Sequence, residues 1–249
     1  MAVIEVGNIR FFYDVKKETE IIHDVSFSAE KEEFVSIIGP SGCGKSTLLR
    51  IIAGLMRADS GIVRYLGREI LQPIPELSFV FQDFALLPWM TNIDNVKLAL
   101  SSSRMDEKKK EQRAFELLGQ FGLSGFENSY PNVLSGGMKQ RVGIARAIAS
   151  NPKVLLMDEP FSSLDELTAD ALRSDILQLL RNKKLSVSTV IMVTHNVEEA
   201  VELSDKVVVL SKKPSATKKI EKIPLPYPRD RESRQFLALK DMLLTALNE

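Results

Sequence analysis

A glycine-rich segment near residue 40 has the residue types and the spacing to bind phosphate. It reads Gly39-Pro40-Ser41-Gly42-Cys43-Gly44-Lys45-Ser46-Thr47 and matches the phosphate-loop pattern G-x-x-x-x-G-K-[ST]. The glycines let backbone N–H groups curl around phosphate oxygens, and a following helix adds positive charge at its N-terminus. Lys45 can reach the β- and γ-phosphates, and Ser46 can coordinate Mg²⁺. A plain glycine turn is the alternative, and the Cys43 side chain has no assigned role.

Two carboxylates follow a short apolar run later in the chain. Residues 154–157 predict a buried strand, and Asp158 and Glu159 stand directly after it. In a phosphate-loop protein, the first carboxylate supports Mg²⁺, usually through water. The second can orient and polarise the water that attacks the γ-phosphate. Taken alone, the pair is equally well explained as a helix N-cap.

A second candidate anion site lies far from the first in sequence. Leu134-Ser135-Gly136-Gly137 precedes a predicted helix over residues 138–150. Ser135 can cap this helix, and the two glycines leave its N-terminus open to an anion. One nucleotide does not need two helix N-termini. A dimer does, because each chain's second site can cover the γ-phosphate that its partner's loop holds.

The order and spacing of these motifs resemble the ATPases of ATP-binding-cassette (ABC) proteins across nearly the whole chain. The segment 134–141, LSGGMKQR, resembles the family's signature, and Gln140 belongs to it. Gln82 resembles the Q-loop glutamine, which senses Mg²⁺ and couples to a partner. Asp165 falls in a D-loop, and His195 resembles the switch histidine that contacts the γ-phosphate. Tyr13 falls where the family places an aromatic ring that stacks on adenine.

Several of these assignments depend on their context. His195 alone is more often a structural histidine, and its position after an apolar run reverses that reading. His23 has no such context and is interpreted as structural. Tyr13 competes with Phe11 and Phe12, and alternation along a strand would place Phe11 and Tyr13 on one face.

A finer resemblance points to one branch of the family. Residues 81–96, FQDFALLPWMTNIDNV, resemble importers of nitrate, taurine, aliphatic sulfonates and related small solutes. The chain departs from the family at Glu32, where glycine is usual, and this should cost a turn preference but not the chemistry. The apolar residues around Trp89 are either local core or a docking surface for a membrane subunit.

The elements that must position these residues follow from hydrophobic periodicity. Buried strands are predicted over residues 33–38, 154–157, 189–193 and 207–210, with helices over 45–53, 164–180 and 197–203. Alternating strands and helices favour a parallel sheet covered on both faces. We therefore expect an α/β fold with a phosphate-loop NTPase (RecA-like) core, an antiparallel β edge sheet and an inserted helical subdomain. Residues 1–82 and 151–213 would form the core, 83–150 the helical subdomain with the signature, and 214–249 a C-terminal tail.

The bulk composition restricts the function further. The 249 residues carry 33 Lys plus Arg, 33 Asp plus Glu and one cysteine. The balanced charge gives no general attraction to nucleic acid, and one cysteine excludes an internal disulfide. The first residues lack the basic and apolar pattern of a secretory signal, so we expect none, and no apolar run reaches the roughly 20 residues of a membrane span. We expect a cytoplasmic protein, peripheral on the inner face of the cell membrane.

The resemblance implies an ATPase of an ABC importer that uses ATP and Mg²⁺. Its expected partners are a second copy of itself, membrane permease subunits and, indirectly, an extracytoplasmic solute-binding protein. The alternative is a single-domain ABC ATPase that serves a soluble assembly, such as iron–sulfur cluster building. A translation or DNA-repair ATPase would carry two cassettes or a long coiled coil, and neither pattern occurs in the sequence.

Overall fold

The computed structural model describes residues 2–14, 16–181 and 185–248. The strands are β1 (Ala2–Phe12), β2 (Glu20–Glu30), β3 (Phe34–Ile38), β4 (Ser60–Tyr65), β5 (Arg68–Glu69), β6 (Leu77–Val80), β7 (Val154–Asp158), β8 (Thr189–Thr194), β9 (Lys206–Leu210) and β10 (Ser215–Lys222). The helices are α1 (Lys45–Ile52), α2 (Asn92–Leu98), α3 (Glu107–Gln120), α4 (Gly136–Ala149), α5 (Glu166–Arg181), α6 (Val197–Leu203) and α7 (Arg234–Asn248), and Pro131–Val133 forms a 3-10 turn. Two compact units result: Met1–Ile74 with Thr189–Glu249, and Pro75–Ser188.

The sheet of the first unit joins an antiparallel part to a parallel part. Its order is β5-β4-β1-β2-β10-β9-β3-β8. β1 is antiparallel to β2 and β4, whereas β3 is parallel to both β8 and β9. β10 joins the two parts, because it is antiparallel to β9 and parallel to β2. This confirms the predicted parallel sheet and antiparallel edge sheet.

The parallel strands form the centre of this unit, and most of their side chains are apolar. Every residue of β3, β8 and β9 is buried, as expected for strands covered by helices. α1 buries Leu48, Leu49, Ile51 and Ile52. It ends at Ile52, and Gly54 follows with φ 70°, so close to Gln72 that an added Cβ would be 2.5 Å from the Gln72 carbonyl carbon. The predicted helix and its stop are confirmed.

The C-terminal segment contains a strand that the sequence analysis did not predict. β10 has the sequence SATKKIEK. Because most of its residues are charged or polar, the sequence resembles a loop. The same segment ends in α7, which buries Phe236, Leu243 and Ala246 in a cluster shared with α6 and β9. Glu32, where the family usually has glycine, adopts φ 64°. That conformation favours glycine, so the predicted turn cost has its physical cause here.

The second unit combines one parallel strand pair with four helices. β6 and β7 are parallel, and α4 packs against α2, α3, α5 and β6. Asp106 caps α3 by accepting a hydrogen bond of 2.8 Å from the Lys109 backbone N–H. Residues 83–150, all of which the structure describes, contain helices and no strand, as expected for a helical subdomain, and its bounds stay a prediction. The short helix α2 and the strands β4, β5 and β6 were not predicted.

Candidate functional site

The phosphate loop connects β3 to α1 in the first unit. Gly42 and Gly44 have φ of 75° and 103°, the left-handed region that glycine adopts without steric cost. An added Cβ on Gly44 would also lie 2.7 Å from Cγ2 of Ile21. Because Gly44 occupies the N-cap position and has no side chain, it cannot cap α1 itself. The loop therefore presents the N-terminal N–H groups of α1 to an anion, as predicted.

Lys45 and Cys43 are two of the buried side chains in this segment. The Lys45 ammonium group donates hydrogen bonds to the carbonyl oxygens of Gly39 at 2.9 Å and Pro40 at 3.1 Å. Its charge is thus held over the loop, where it can meet phosphate oxygens. Cys43 is only 1% exposed, and burial raises the pKa of its thiol. The thiol is therefore an inert packing group, and Cys43 contributes to the loop through its backbone.

His195 follows the strand that pairs with β3. Because Ile38 and Thr194 are register partners in parallel strands, Gly39 and His195 leave the sheet at the same edge. The Thr194 hydroxyl donates to Glu199 at 2.6 Å and accepts from the Asn196 N–H at 3.0 Å. Asn196 also caps α6. The exposed His195 is thus carried by a tightly bonded turn beside the phosphate loop.

Tyr13 presents the exposed ring among the three aromatic candidates. It follows β1 and is 66% exposed, whereas Phe11 is buried. The Tyr13 and Phe11 rings are nearly perpendicular, with 6.0 Å between their centroids, so Phe11 is not stacked flat on the Tyr13 ring. Phe12 lies beneath the cationic groups of Arg10 and Lys17. Tyr13 is therefore the best placed of the three to stack on a planar ligand.

In the second unit, Gln82, Asp158 and Glu159 lie at the same edge of the sheet. Val80 pairs with Met157 in register, so the segments that follow β6 and β7 emerge together. Asp158 is 2% exposed at the end of β7, and Glu159 adopts φ 44°. The Gln82 amide donates to the Ser162 hydroxyl at 3.5 Å, and this hydroxyl donates to the Glu159 carbonyl at 3.0 Å. Sequence reasoning missed Ser162 because nothing in its spacing marks it.

The signature segment forms the exposed start of α4. Ser135 accepts a hydrogen bond from the Met138 N–H at 3.3 Å and caps the helix as predicted. Ser135 and Gly136 are exposed, and the first turn of α4 contains no acidic residue. Gln140 is fully buried one turn farther on, and neither polar atom of its side chain has a hydrogen-bond partner among the described residues. Its assignment to the site stays a prediction.

Gly137 has a second reason to be glycine. An added Cβ would lie 2.3 Å from Cγ2 of Thr168 in the first turn of α5. Thr168 is itself fixed, because its hydroxyl and N–H donate to Asp165 at 2.7 and 3.0 Å. These bonds lower the pKa of the exposed Asp165 carboxyl. The signature turn and the predicted D-loop residue are therefore packed together within the second unit.

The fold and these two sheet edges define a nucleotide hydrolase of the phosphate-loop class. The family model for ABC transporters matches residues 22–162, more than half of the chain. The chain therefore belongs to the ABC transporter ATP-binding family and is an ATP-hydrolysing transporter subunit.

Individual relatives agree with this assignment. The chain is 40% identical over 244 residues to an aliphatic sulfonates import ATP-binding protein, SsuB, from Bacillus cereus, covering 98% of this chain and 95% of that protein. It is 41% identical to the nitrate import ATP-binding protein NrtC of Synechococcus elongatus, covering 92% of this chain and 35% of that protein. The ATP-binding cassette MJ0796, solved as a dimer in a post-hydrolysis state with ADP and Pi, has a TM-score of 0.77 at 32% identity and covers 90% of this chain and 100% of that one. None of the helices described here is long and apolar enough to span a membrane.

Proposed function

We propose that two copies of the chain close head to tail around two ATP molecules and that hydrolysis reopens them. The observation that carries this proposal is the exposed, non-acidic start of α4 at Ser135 and Gly136. A helix N-terminus of this kind stabilises an anion, and the phosphate loop already provides one such site in the same chain. The dimeric state of the similar cassette with ADP and Pi supports the same arrangement.

Each side chain then has a defined task at the nucleotide. Lys45 and the backbone N–H groups of residues 41–47 hold the phosphates, and Tyr13 stacks on adenine. Glu159 polarises the attacking water. The water oxygen bonds to the γ-phosphorus, and the bond between that phosphorus and the ADP oxygen breaks. His195 contacts the γ-phosphate. From the second copy, Ser135, Gly136, Gly137, Gln140 and Asp165 complete the site.

The donor atoms also fit Mg²⁺. Ser46, Gln82 and Asp158 offer hydroxyl, amide and carboxylate oxygens, the hard ligands that Mg²⁺ prefers. Asp158 is almost fully buried at a strand end, which fixes its direction. A bound Mg²⁺ would neutralise charge that builds on the phosphate oxygens.

Trp89 marks the surface at which a membrane permease docks. Its side chain is 71% exposed, so Trp89 itself is not core. The loop that carries it is rigid, because the buried Asn95 side chain donates to the carbonyls of Leu87, Met90 and Thr91 and accepts from the Leu87 N–H. A large ring held in the open by a fixed loop is typical of a partner site. We place the chain at the inner face of the membrane through this contact.

The solute is a small organic or oxyanionic compound such as a sulfonate, taurine or nitrate. The names of the sulfonate and nitrate relatives support this class. An extracytoplasmic binding protein would deliver the solute to the permease, since the ATPase has no contact with it.

Mixed dimers test the two-copy arrangement directly. Ser135→Arg should leave ATP binding by the monomer nearly unchanged and abolish ATP-driven dimerisation, whereas Lys45→Ala should weaken ATP binding itself. Heterodimers of the two variants, purified through two different tags, contain one intact site and should hydrolyse ATP. The matched control pairs wild type with the Lys45→Ala/Ser135→Arg double variant, which carries the same changes but no intact site. Equal inactivity of both heterodimers would refute the arrangement.

A further inference from the structure

The segment between Gln82 and Trp89 contains two consecutive residues in an unfavourable backbone conformation. Phe84 and Ala85 have φ of 63° and 46°. The left-handed region is sterically costly for residues with a Cβ, and two such residues in succession persist only when neighbouring groups hold them. The single hydrogen bond of 3.2 Å from the Phe84 N–H to the Phe81 carbonyl is not enough to hold both residues in this conformation.

Arg146 of α4 holds this turn. One terminal nitrogen of its guanidinium group donates to the Ala85 carbonyl at 2.6 Å, and the other donates to the Phe84 carbonyl at 2.8 Å. The planar fork of arginine suits two adjacent acceptors, and a lysine could not reproduce it. The surroundings are demanding for a cation, since burial lowers the pKa of Arg146 and Asp83 opposes that shift.

The helix and the turn are also in close contact. An added Cβ on Gly143, one turn before Arg146, would lie 3.4 Å from the Phe84 carbonyl oxygen. An open apolar cleft borders the same place and is lined in part by Phe79, Leu98 and the Arg146 side chain. The turn, the cleft and α4 therefore form one packed region of the second unit.

We infer that Arg146 is a positioning residue that couples the signature helix to the segment carrying Gln82 and Trp89. This inference rests on the function proposed above. α4 begins at Ser135, and Arg146 grips the Gln82–Trp89 segment from the same helix. A displacement of Ser135 is carried along α4 and reaches the Gln82–Trp89 segment through the two hydrogen bonds from Arg146. A displacement of that segment is carried back to Ser135 in the same way. Without these two hydrogen bonds the strained turn relaxes, and Gln82 and the loop that carries Trp89 shift relative to α4.

Arg146→Met tests the coupling because it keeps the apolar stem and removes the donors. We expect ATP affinity within about twofold of wild type, because the phosphate loop and Tyr13 lie in the other unit. The hydrolysis rate at saturating ATP should fall about tenfold or more, as misplacing a group near the chemistry does. Hydrogen exchange across residues 83–90 should accelerate. Arg113→Met is the matched control, because Arg113 bonds the Asn151 side chain elsewhere in the same unit.

Ala85→Gly separates positioning from general stability. Glycine adopts a positive φ without steric cost, so Arg146→Met/Ala85→Gly should recover much of the lost hydrolysis. A rate equal to that of Arg113→Met, or no recovery with glycine, would overturn the inference. If Arg146→Met does not fold, Arg146→Lys, which keeps one charge-assisted bond, should show the same defect in weaker form, and a normal rate would overturn it. If wild type itself does not hydrolyse ATP, the proposed function fails, whereas unchanged hydrogen exchange in Arg146→Met would refute only the role of Arg146.

Discussion

Adding one methyl group to Gly137 should disturb the contact between the signature turn and α5. The new Cβ of Gly137→Ala would lie 2.3 Å from Cγ2 of Thr168, far inside the 3.5–4.0 Å of a normal carbon contact. Thr168 cannot rotate away freely, because its hydroxyl is bonded to Asp165 at 2.7 Å. Either that bond breaks or the two helices move apart.

The neighbouring glycine provides the comparison that sets the magnitude. A methyl on Gly136 would lie 3.4 Å from Cδ2 of Leu164 and needs little adjustment. Both alanines gain up to about 1 kcal/mol of helix propensity, so this term largely cancels between them. Overpacking of the kind at Gly137 costs about 1–3 kcal/mol. Gly137→Ala should therefore be less stable than Gly136→Ala by that amount, or roughly 2–12 °C in Tm.

Nucleotide-free unfolding in urea measures this difference without involving ATP binding. Thr168→Ser removes the obstructing Cγ2 and keeps the hydroxyl that bonds Asp165. In a Thr168→Ser background, Gly137→Ala should therefore cost less than about 0.5 kcal/mol, a clear departure from additivity. Equal unfolding midpoints for Gly136→Ala and Gly137→Ala, or strict additivity in the double variant, would refute the packing argument.

Three further predictions concern catalysis, recognition and stability. Glu159→Gln should retain ATP binding, lose about 10²–10⁴-fold in hydrolysis rate and accumulate as an ATP-bound dimer; a normal rate would remove Glu159 from the mechanism. Tyr13→Ala should weaken ATP binding by about 1–3 kcal/mol in calorimetry while Tyr13→Phe stays near wild type, and equal affinity in both would exclude stacking. Arg229→Met should lower the free energy of unfolding by about 3 kcal/mol, because the guanidinium, almost fully buried, donates to the carbonyls of Val201 and Ser204 at the end of α6. The exposed Arg234→Met is the matched control, and an equal effect there would contradict this role.

The features that the sequence predicted are those with local causes. The phosphate loop is set by glycines and by the apolar runs on either side, so its place between a strand and a helix followed from residues 33–53 alone. Ser135 is an N-cap whose partner, the Met138 N–H, lies three residues away. Such short-range rules act within a few residues and need no knowledge of the tertiary fold.

The features that were missed depend on residues distant in sequence. β10 is recognisable only through its pairing with β9 and β2, because its own residues are mostly charged or polar. The residues around Gly137 in the sequence do not predict its contact with Thr168. The sequence does contain one indication of the role of Arg146, because this residue is the single cation between the buried residues Ile144, Ala145, Ala147 and Ile148. A lone arginine on an apolar helix face predicts a specific acceptor, although not which one.

Helix α4 depends both on the small residues at its N-terminus and on Arg146 near its C-terminus. At the N-terminal end, Gly137 fits against Thr168, so the turn that presents Ser135 is packed onto α5. Arg146 lies nine residues farther along the chain, about two and a half helical turns, and there it holds the strained turn at Phe84 and Ala85. A helix is stiff over this length, so a shift at one contact is carried to the other. If ATP held by the second copy binds at Ser135, it shifts the N-terminus of α4. The helix then carries this shift to the segment that presents Trp89, which would give ATP binding a direct physical route to the membrane partner.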